Sequence, residues 1–155
     1  MGITIQKASI EDLEKVQELN HKLFELEYKF FDPTLKVGWT YDNVGTDYFI
    51  NMIQNEVVFI ALKDNKIVGY LAGSIGSKTY TTSKLAELDN MFVIKEYRKA
   101  GIGTILIKEF KSYCLDKGID NIKVTASAKN KNAIAFYIKN DFDEYNITLR
   151  CNLEK

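Results

Sequence analysis

Between Leu13 and Phe30 the apolar residues Leu13, Val16, Leu19, Leu23, Leu26 and Phe30 fall three and four apart, the spacing of one helix face. Ser9 stands ahead of Asp12, where it can cap that helix. The only proline, Pro33, marks a loop in "FFDPTLKVGWT", and "TDYFINMIQN" then reads as a second, shorter helix. The period changes after that. "VVFIALKDNKIVGYLAGSI" gives two apolar strands around a turn at Asp64 and Asn65, and "KLAELDNMFVI" gives a third. From Ile102 helical spacing returns through Ile105, Leu106, Phe110, Tyr113 and Cys114, until "DKG" stops it at Gly118. "NIKVTA" alternates as a strand, "NKNAIAFYIKN" reads as a short helix, and "FDEYNITLRCNL" alternates as a final strand with Tyr145, Ile147, Leu149 and Cys151 on one face. The order β, α, α, β, β, β, α, β, α, β predicts an α/β (α+β) domain on one mixed sheet.

Composition narrows the picture. At 155 residues and 17.8 kDa the chain suits a single domain over 1–155, and its 46% hydrophobic and 27% charged residues predict a soluble folded protein. No apolar run approaches a bilayer span and the start lacks the order of a secretory signal, so a cytoplasmic location is expected. Cys114 and Cys151 fall in apolar patterns, where free thiols serve as small core residues. Zero net charge argues against a nucleic-acid or membrane partner. It hides an asymmetry: residues 1–90 carry net −4 and residues 91–155 net +4. Either these halves form opposite walls of one site, or the charges are scattered over a solvated surface.

The chemistry concentrates in "VIKEYRKAGIGTILIKEF", Val93 to Phe110, where a strand runs into a helix. A glycine-rich first turn exposes unpaired N–H groups and the positive end of the helix dipole. Arg98, Lys99, Ala100, Gly101, Ile102, Gly103 and Thr104 supply amides, a hydroxyl and two cations, a combination suited to a diphosphate. It is no Walker loop, since no Lys-Ser/Thr pair follows, and no dinucleotide fingerprint, since position 106 is Leu.

This stretch resembles the pyrophosphate-binding motif of the GNAT superfamily of acetyl-CoA-dependent N-acetyltransferases, Arg/Gln-x-x-Gly-x-Gly/Ala, through Arg98, Gly101 and Gly103. "NKNAIAFYIKNDF" resembles the family's later helix through Asn130, Ala133, Tyr137 and Phe142, with Asp141 where glycine is usual. Aspartate tolerates a left-handed turn better than most residues. The resemblance covers nearly the whole chain. It implies a mostly antiparallel twisted sheet flanked by helices, acetyl-CoA as co-substrate and no metal. It also implies that Met91, Phe92 and Val93 offer strand-edge backbone to the pantetheine arm, while the amides from Arg98 to Thr104 hold the pyrophosphate.

Acetyl transfer to an alkyl amine, of pKa about 10.4, needs a base or a water relay, because an ammonium is no nucleophile. Period two puts Glu87 and Asp89 on one strand face, and Glu87 lies close to where similar protein acetyltransferases carry their base. Glu87 is the first candidate, with Asp89 in reserve. By the same resemblance, Tyr137 is the acid that protonates the departing thiolate. His21 has no nucleophile in view and suggests no triad. Phe24, Tyr28, Phe31, Trp39, Tyr41 and Tyr48, with Glu25, Glu27, Asp32, Asp42 and Asp47, suit a cationic amine, on a small molecule or a peptide, as readily as they suit helix core and solvated surface. A non-catalytic acyl-CoA-binding or regulatory module of the same fold is the alternative reading, and either admits a homodimer.

Overall fold

The computed structural model describes residues 2–76 and 80–154. Its elements are β1 (Thr4–Lys7), α1 (Leu13–Phe30), α2 (Asn43–Asn55), β2 (Val57–Lys63), β3 (Lys66–Gly76), β4 (Leu85–Val93), α3 (Ile102–Asp116), β5 (Asn121–Val124) and α4 (Lys131–Lys139). Short 3-10 turns at Ile10–Asp12, Val37–Tyr41 and Lys95–Ala100 join them.

The strands form one sheet in the order β1-β2-β3-β4-β5. Neighbours are antiparallel except β4 and β5, which run parallel because α3 carries the chain across between them. The turn read at Asp64 and Asn65 is a two-residue hairpin loop with both residues at positive φ, 51° and 63°, which matches the twist of β2 and β3.

The sheet is buried on both faces, which is why β2 and β3 read as continuous apolar runs. Val57, Phe59 and Ala61 pack with Leu106, Phe110 and Cys114 of α3, while Val58, Ile60 and Tyr70 pack with Val16 and Leu19 of α1 and Phe49 of α2. Cys114 is the buried core thiol that its stripe predicts, and Gly118 ends α3 at φ 73°.

Two irregularities in β4 prepare the site. Ala72 pairs with Asn90 and Gly73 with Leu88, so Asp89 is an extra residue, a β-bulge. The partnership with β5 covers only Leu85–Leu88, against Asn121–Val124. From Asp89 to Val93 the edge of β4 on the β5 side is therefore unpaired.

The end of the chain corrects two expectations. Asp141 does take the left-handed conformation, at φ 72°, but among the described residues from Asp143 to Glu154 no strand forms. Tyr145, Ile147 and Leu149 are 77%, 88% and 89% exposed, and Cys151 is exposed where a core thiol was expected. Alternation assigns faces to a strand, yet a strand exists only beside a hydrogen-bonding neighbour, and among the described residues this segment has none.

Candidate active site

The glycine turn sits at the open end of β4. Gly101 holds φ 77° with open space where a Cβ would stand, and it starts α3. Ile105 is the first residue of α3 whose N–H reaches back, to the Gly101 carbonyl at 3.1 Å, so the amides of Ile102, Gly103 and Thr104 are first-turn donors at the positive end of the helix. Lys99 and Ala100 are exposed beside them, while the Ile102 side chain is core. An anionic diphosphate fits this cradle.

Two residues of this turn carry further commitments. Arg98 turns back to β4, donating from Nε to the Val93 carbonyl at 2.8 Å with its guanidinium 5.0 Å above the Phe92 ring. It clamps the turn to the strand end, and one of the two cations read as facing the anion is committed elsewhere. At Gly103 a Cβ would lie 2.9 Å from Phe136 Cζ and 3.7 Å from Met91 Cε. The bare backbone there lets α4 close on α3 and β4, which is a packing requirement.

Helix α4 brings up the phenol. Asn130 caps it, accepting from the Ala133 N–H at 3.0 Å, so both residues serve the helix start. Tyr137 lies between the rings of Phe136 and Phe142, at 5.4 and 5.5 Å. Among the described residues its hydroxyl has no hydrogen-bond partner. Burial, and then the charge of Glu27, push its pKa up to about 12.

Across the cleft a chain of polar side chains joins helices to sheet. Thr40 donates to Asn20 Oδ1 (2.7 Å), Asn20 Nδ2 to the Tyr70 hydroxyl (3.0 Å), and Tyr70 to Asn90 Oδ1 (2.5 Å). Asn90 Nδ2 then donates to the Tyr48 hydroxyl (3.0 Å) and Tyr48 to Asp89 Oδ2 (2.7 Å), while Ser74 donates to Asp89 Oδ1 (2.6 Å). Every donor points towards Asp89. The bulge makes this possible, because it turns the consecutive side chains Asp89 and Asn90 to the α1 and α2 side. Burial raises the pKa of Tyr48 and Tyr70 well above the phenol range, so both stay protonated donors.

The two candidate carboxylates are thus unlike each other. Asp89 has both oxygens engaged by hydroxyls. Glu87, opposite Ser74 on β3 and Lys123 on β5, has Lys123 at 3.6 Å as its one partner among the described residues and is 42% exposed in its side chain. A third carboxylate stands out: burial, then Asp32, raise the pKa of Glu27, and its charge in turn raises those of Tyr70 and Tyr137. Glu27 is therefore electrostatically coupled to both phenols.

The rest of the acid and aromatic set is divided. Trp39 stacks with Phe24 (5.5 Å) and meets Tyr48 (5.4 Å), forming an aromatic wall. Asp42 caps α2 through the Gly45 N–H, Asp32 closes a turn with Thr34, and Glu25, Asp47, Tyr28 and Tyr41 lie at the exposed surface. His21 meets the Val37 carbonyl at 3.1 Å and the Tyr41 ring at 5.1 Å.

Tyr70, Asn20 and Asn90 escape a reading by pattern. Tyr70 looks like one more core ring in an apolar strand. Asn20 carried a signal, since it falls four after Val16 and three before Leu23, inside the stripe that must be buried, and an amide there needs buried partners.

Comparison with known proteins gives the family and the fold. The model of the acetyltransferase (GNAT) family matches residues 16–142. The chain is 26% identical over 149 residues to a spermidine N(1)-acetyltransferase of Thermoplasma acidophilum, covering 92% of this chain and 89% of that protein. It is 23% identical over 153 residues to an N-alpha-acetyltransferase of Saccharolobus solfataricus, covering 93% and 82%. The fold matches the aminoglycoside N-acetyltransferase AAC(6')-Iy, solved with a bisubstrate analog of CoA and acetylneamine, at a TM-score of 0.78 and 18% identity over 98% of each chain.

Proposed function

The chain belongs to the acetyltransferase (GNAT) family, and from that premise we propose that it moves an acetyl group from acetyl-CoA directly to a cationic primary amine. The observation that carries the reading is the opening between β4 and β5, with donors of α3 at one end and the unpartnered Tyr137 hydroxyl beside it. Free strand-edge groups of Met91, Phe92 and Val93 suit the amides of a pantetheine arm, with the Val93 carbonyl held back by Arg98. The first-turn amides of α3 suit its pyrophosphate. When bound, acetyl-CoA supplies the activated acyl carbon and, on transfer, a thiolate to be protonated.

Tyr137 is the proposed acid. A pKa of about 12 keeps it protonated at neutral pH, so it meets the developing thiolate as a hydrogen-bond donor. Glu87 is the proposed base, since its one described partner is a weakly placed lysine. Asp89 is bound on both oxygens and is better suited to fixing Tyr48 and the acceptor wall. The charge of Glu27 is felt at Tyr137, which suits an ammonium on the acceptor. The spermidine and N-alpha-acetyltransferases to which the chain is similar make polyamines and peptide N-termini the first acceptors to try.

Mass spectrometry after incubation with acetyl-CoA and spermidine, an aminoglycoside, peptides with free N-termini or lysines, and an uncharged arylamine tests the proposal. Acetylation of a cationic acceptor, with kcat/KM falling as salt is added, is the expected result. Binding of acetyl-CoA without transfer to any amine would leave the acyl-CoA-binding module as the better reading.

A further inference from the structure

We infer that Lys123 is acetylated by the chain's own active site, an inference that rests on the acetyl transfer proposed above. Lys123 lies on β5 opposite Glu87 on β4, and the next pair, Val124 and Leu88, is the last before the two strands part. Side chains alternate along both strands. Ile122 and Val124 pack against the core layer of α3, to which Ala86 and Leu88 also belong, so Lys123 and Glu87 both face the other side of the sheet. That is the side of Asp89 with its partners Tyr48 and Ser74.

The pair is loosely held. Nζ lies 3.6 Å from Glu87 Oε1, the two side chains are 26% and 42% exposed, and among the described residues Lys123 has no other side-chain partner. Its four methylene groups can carry the amine towards the opening at the cost of that one contact. Other lysines are placed differently: Lys111 donates to the Asn140 carbonyl at 2.7 Å, and Lys99 is exposed beside the first amides of α3, at the far end of the opening. A primary amine therefore stands where the ammonium of an acceptor is expected, against the carboxylate proposed to take its proton. Tyr137, the proposed acid, packs in the layer on the other face of the sheet. Amine and acid thus flank the opening from opposite sides, which suits attack and departure at one acyl carbon.

The step balances without a further reactant. The Lys123 ammonium gives one proton to Glu87 and through it to water, which frees the lone pair. The nitrogen then forms its bond to the acetyl carbon as the carbon–sulfur bond breaks. A second proton leaving the nitrogen replaces the one that Tyr137 gives to the departing thiolate, so one proton is released for each acetyl group moved. The product is a neutral amide, which ends the ion pair and leaves Glu87 to an incoming ammonium.

Peptide mapping by mass spectrometry, after the whole chain is incubated with acetyl-CoA and no added amine, tests the inference. The expected result is an acetyl group on Lys123 that accumulates with a rate constant independent of protein concentration and is suppressed by excess CoA, which competes for the opening without an acetyl group. Lys123→Arg, which keeps the charge opposite Glu87, should lose that label without gaining one at Lys99 or Lys111. Label that resists CoA, or that spreads evenly over exposed lysines, is chemical acetylation by the thioester and overturns the inference. A rate constant that rises with protein concentration marks transfer between molecules and overturns it as well. A parallel incubation with spermidine and the other amines separates this inference from the function it rests on. Acetylated amine beside unmodified Lys123 overturns the inference alone, whereas acetylation of neither overturns both.

Discussion

The two walls of the cleft are built from different materials. The proposed cofactor wall, from Met91 to Thr104, is one run of chain that offers mostly backbone: a free strand edge, a left-handed glycine and the first amides of a helix. The proposed acceptor wall is made of side chains from α1, the turn at Val37–Tyr41, α2, β3 and β4, and single bonds in it join residues 50 and 41 positions apart, Asn20 to Tyr70 and Tyr48 to Asp89. Backbone chemistry depends little on residue identity, so the first wall keeps a short signature. Side-chain chemistry can be met by many combinations, so the second wall has none. Tyr137 belongs to neither, and in the proposed function it stands where they meet.

The largest expected effect tests that junction. Tyr137→Phe should lower kcat roughly 10²-fold while leaving the acetyl-CoA-induced rise in Tm intact. Turnover within twofold of wild type would reduce Tyr137 to a ring packed between Phe136 and Phe142. Its pKa adds a sign. With a folded value of about 12 above the ordinary 10.0, the folded state keeps a proton that the unfolded state loses, so stability falls as pH rises from about 10 to 12. In Tyr137→Phe that alkaline loss should be smaller in urea titrations; Tyr48 and Tyr70 supply the remainder.

Next, the cofactor wall separates into packing and backbone conformation. Gly103→Ala should lose about 1 to 3 kcal/mol by forcing Phe136 aside, and Phe136→Leu in the same chain should recover much of it. Gly101→Ala should lose about 1 to 2 kcal/mol through its left-handed φ alone, with no recovery from Phe136→Leu. Equal behaviour of the two glycines in urea unfolding would refute the distinction.

On the acceptor wall, Tyr70→Phe strands an Asn20 N–H and an Asn90 carbonyl, both buried or partly so, at a cost of about 1 to 3 kcal/mol. Because Asn90 holds Tyr48 against Asp89, KM for the amine should rise while the Kd for acetyl-CoA stays put. A change confined to cofactor binding would place the network on the wrong wall. The smallest effect is at Glu27. Its folded pKa is raised, so the folded state binds the extra proton above the ordinary carboxylate range and stability falls as pH rises through that window. Glu27→Gln should therefore raise Tm slightly at pH 7 and lose that advantage in acid. It should also weaken a cationic acceptor at low salt. A fall in Tm at pH 7 would show that Glu27 stabilises the fold.

By itself the sequence determined what depends on local periodicity and on backbone. The apolar stripes of α1 and α3, the hairpin at Asp64 and Asn65, the left-handed turn at Asp141 and the glycine start of α3 each follow from residues a few positions apart. Tertiary structure decided the rest, because those features depend on what lies opposite. The bulge at Asp89 is a register relation to β3, and it alone turns Asp89 and Asn90 to one side. The commitment of Arg98 to Val93, the closure of Phe136 on Gly103 and the relay from Asn20 to Asp89 all need partners brought together by folding. The tail shows the limit most clearly: its alternation from Tyr145 to Leu153 specifies which face must be covered, but a strand also needs an edge to pair with, and among the described residues the tail pairs with none.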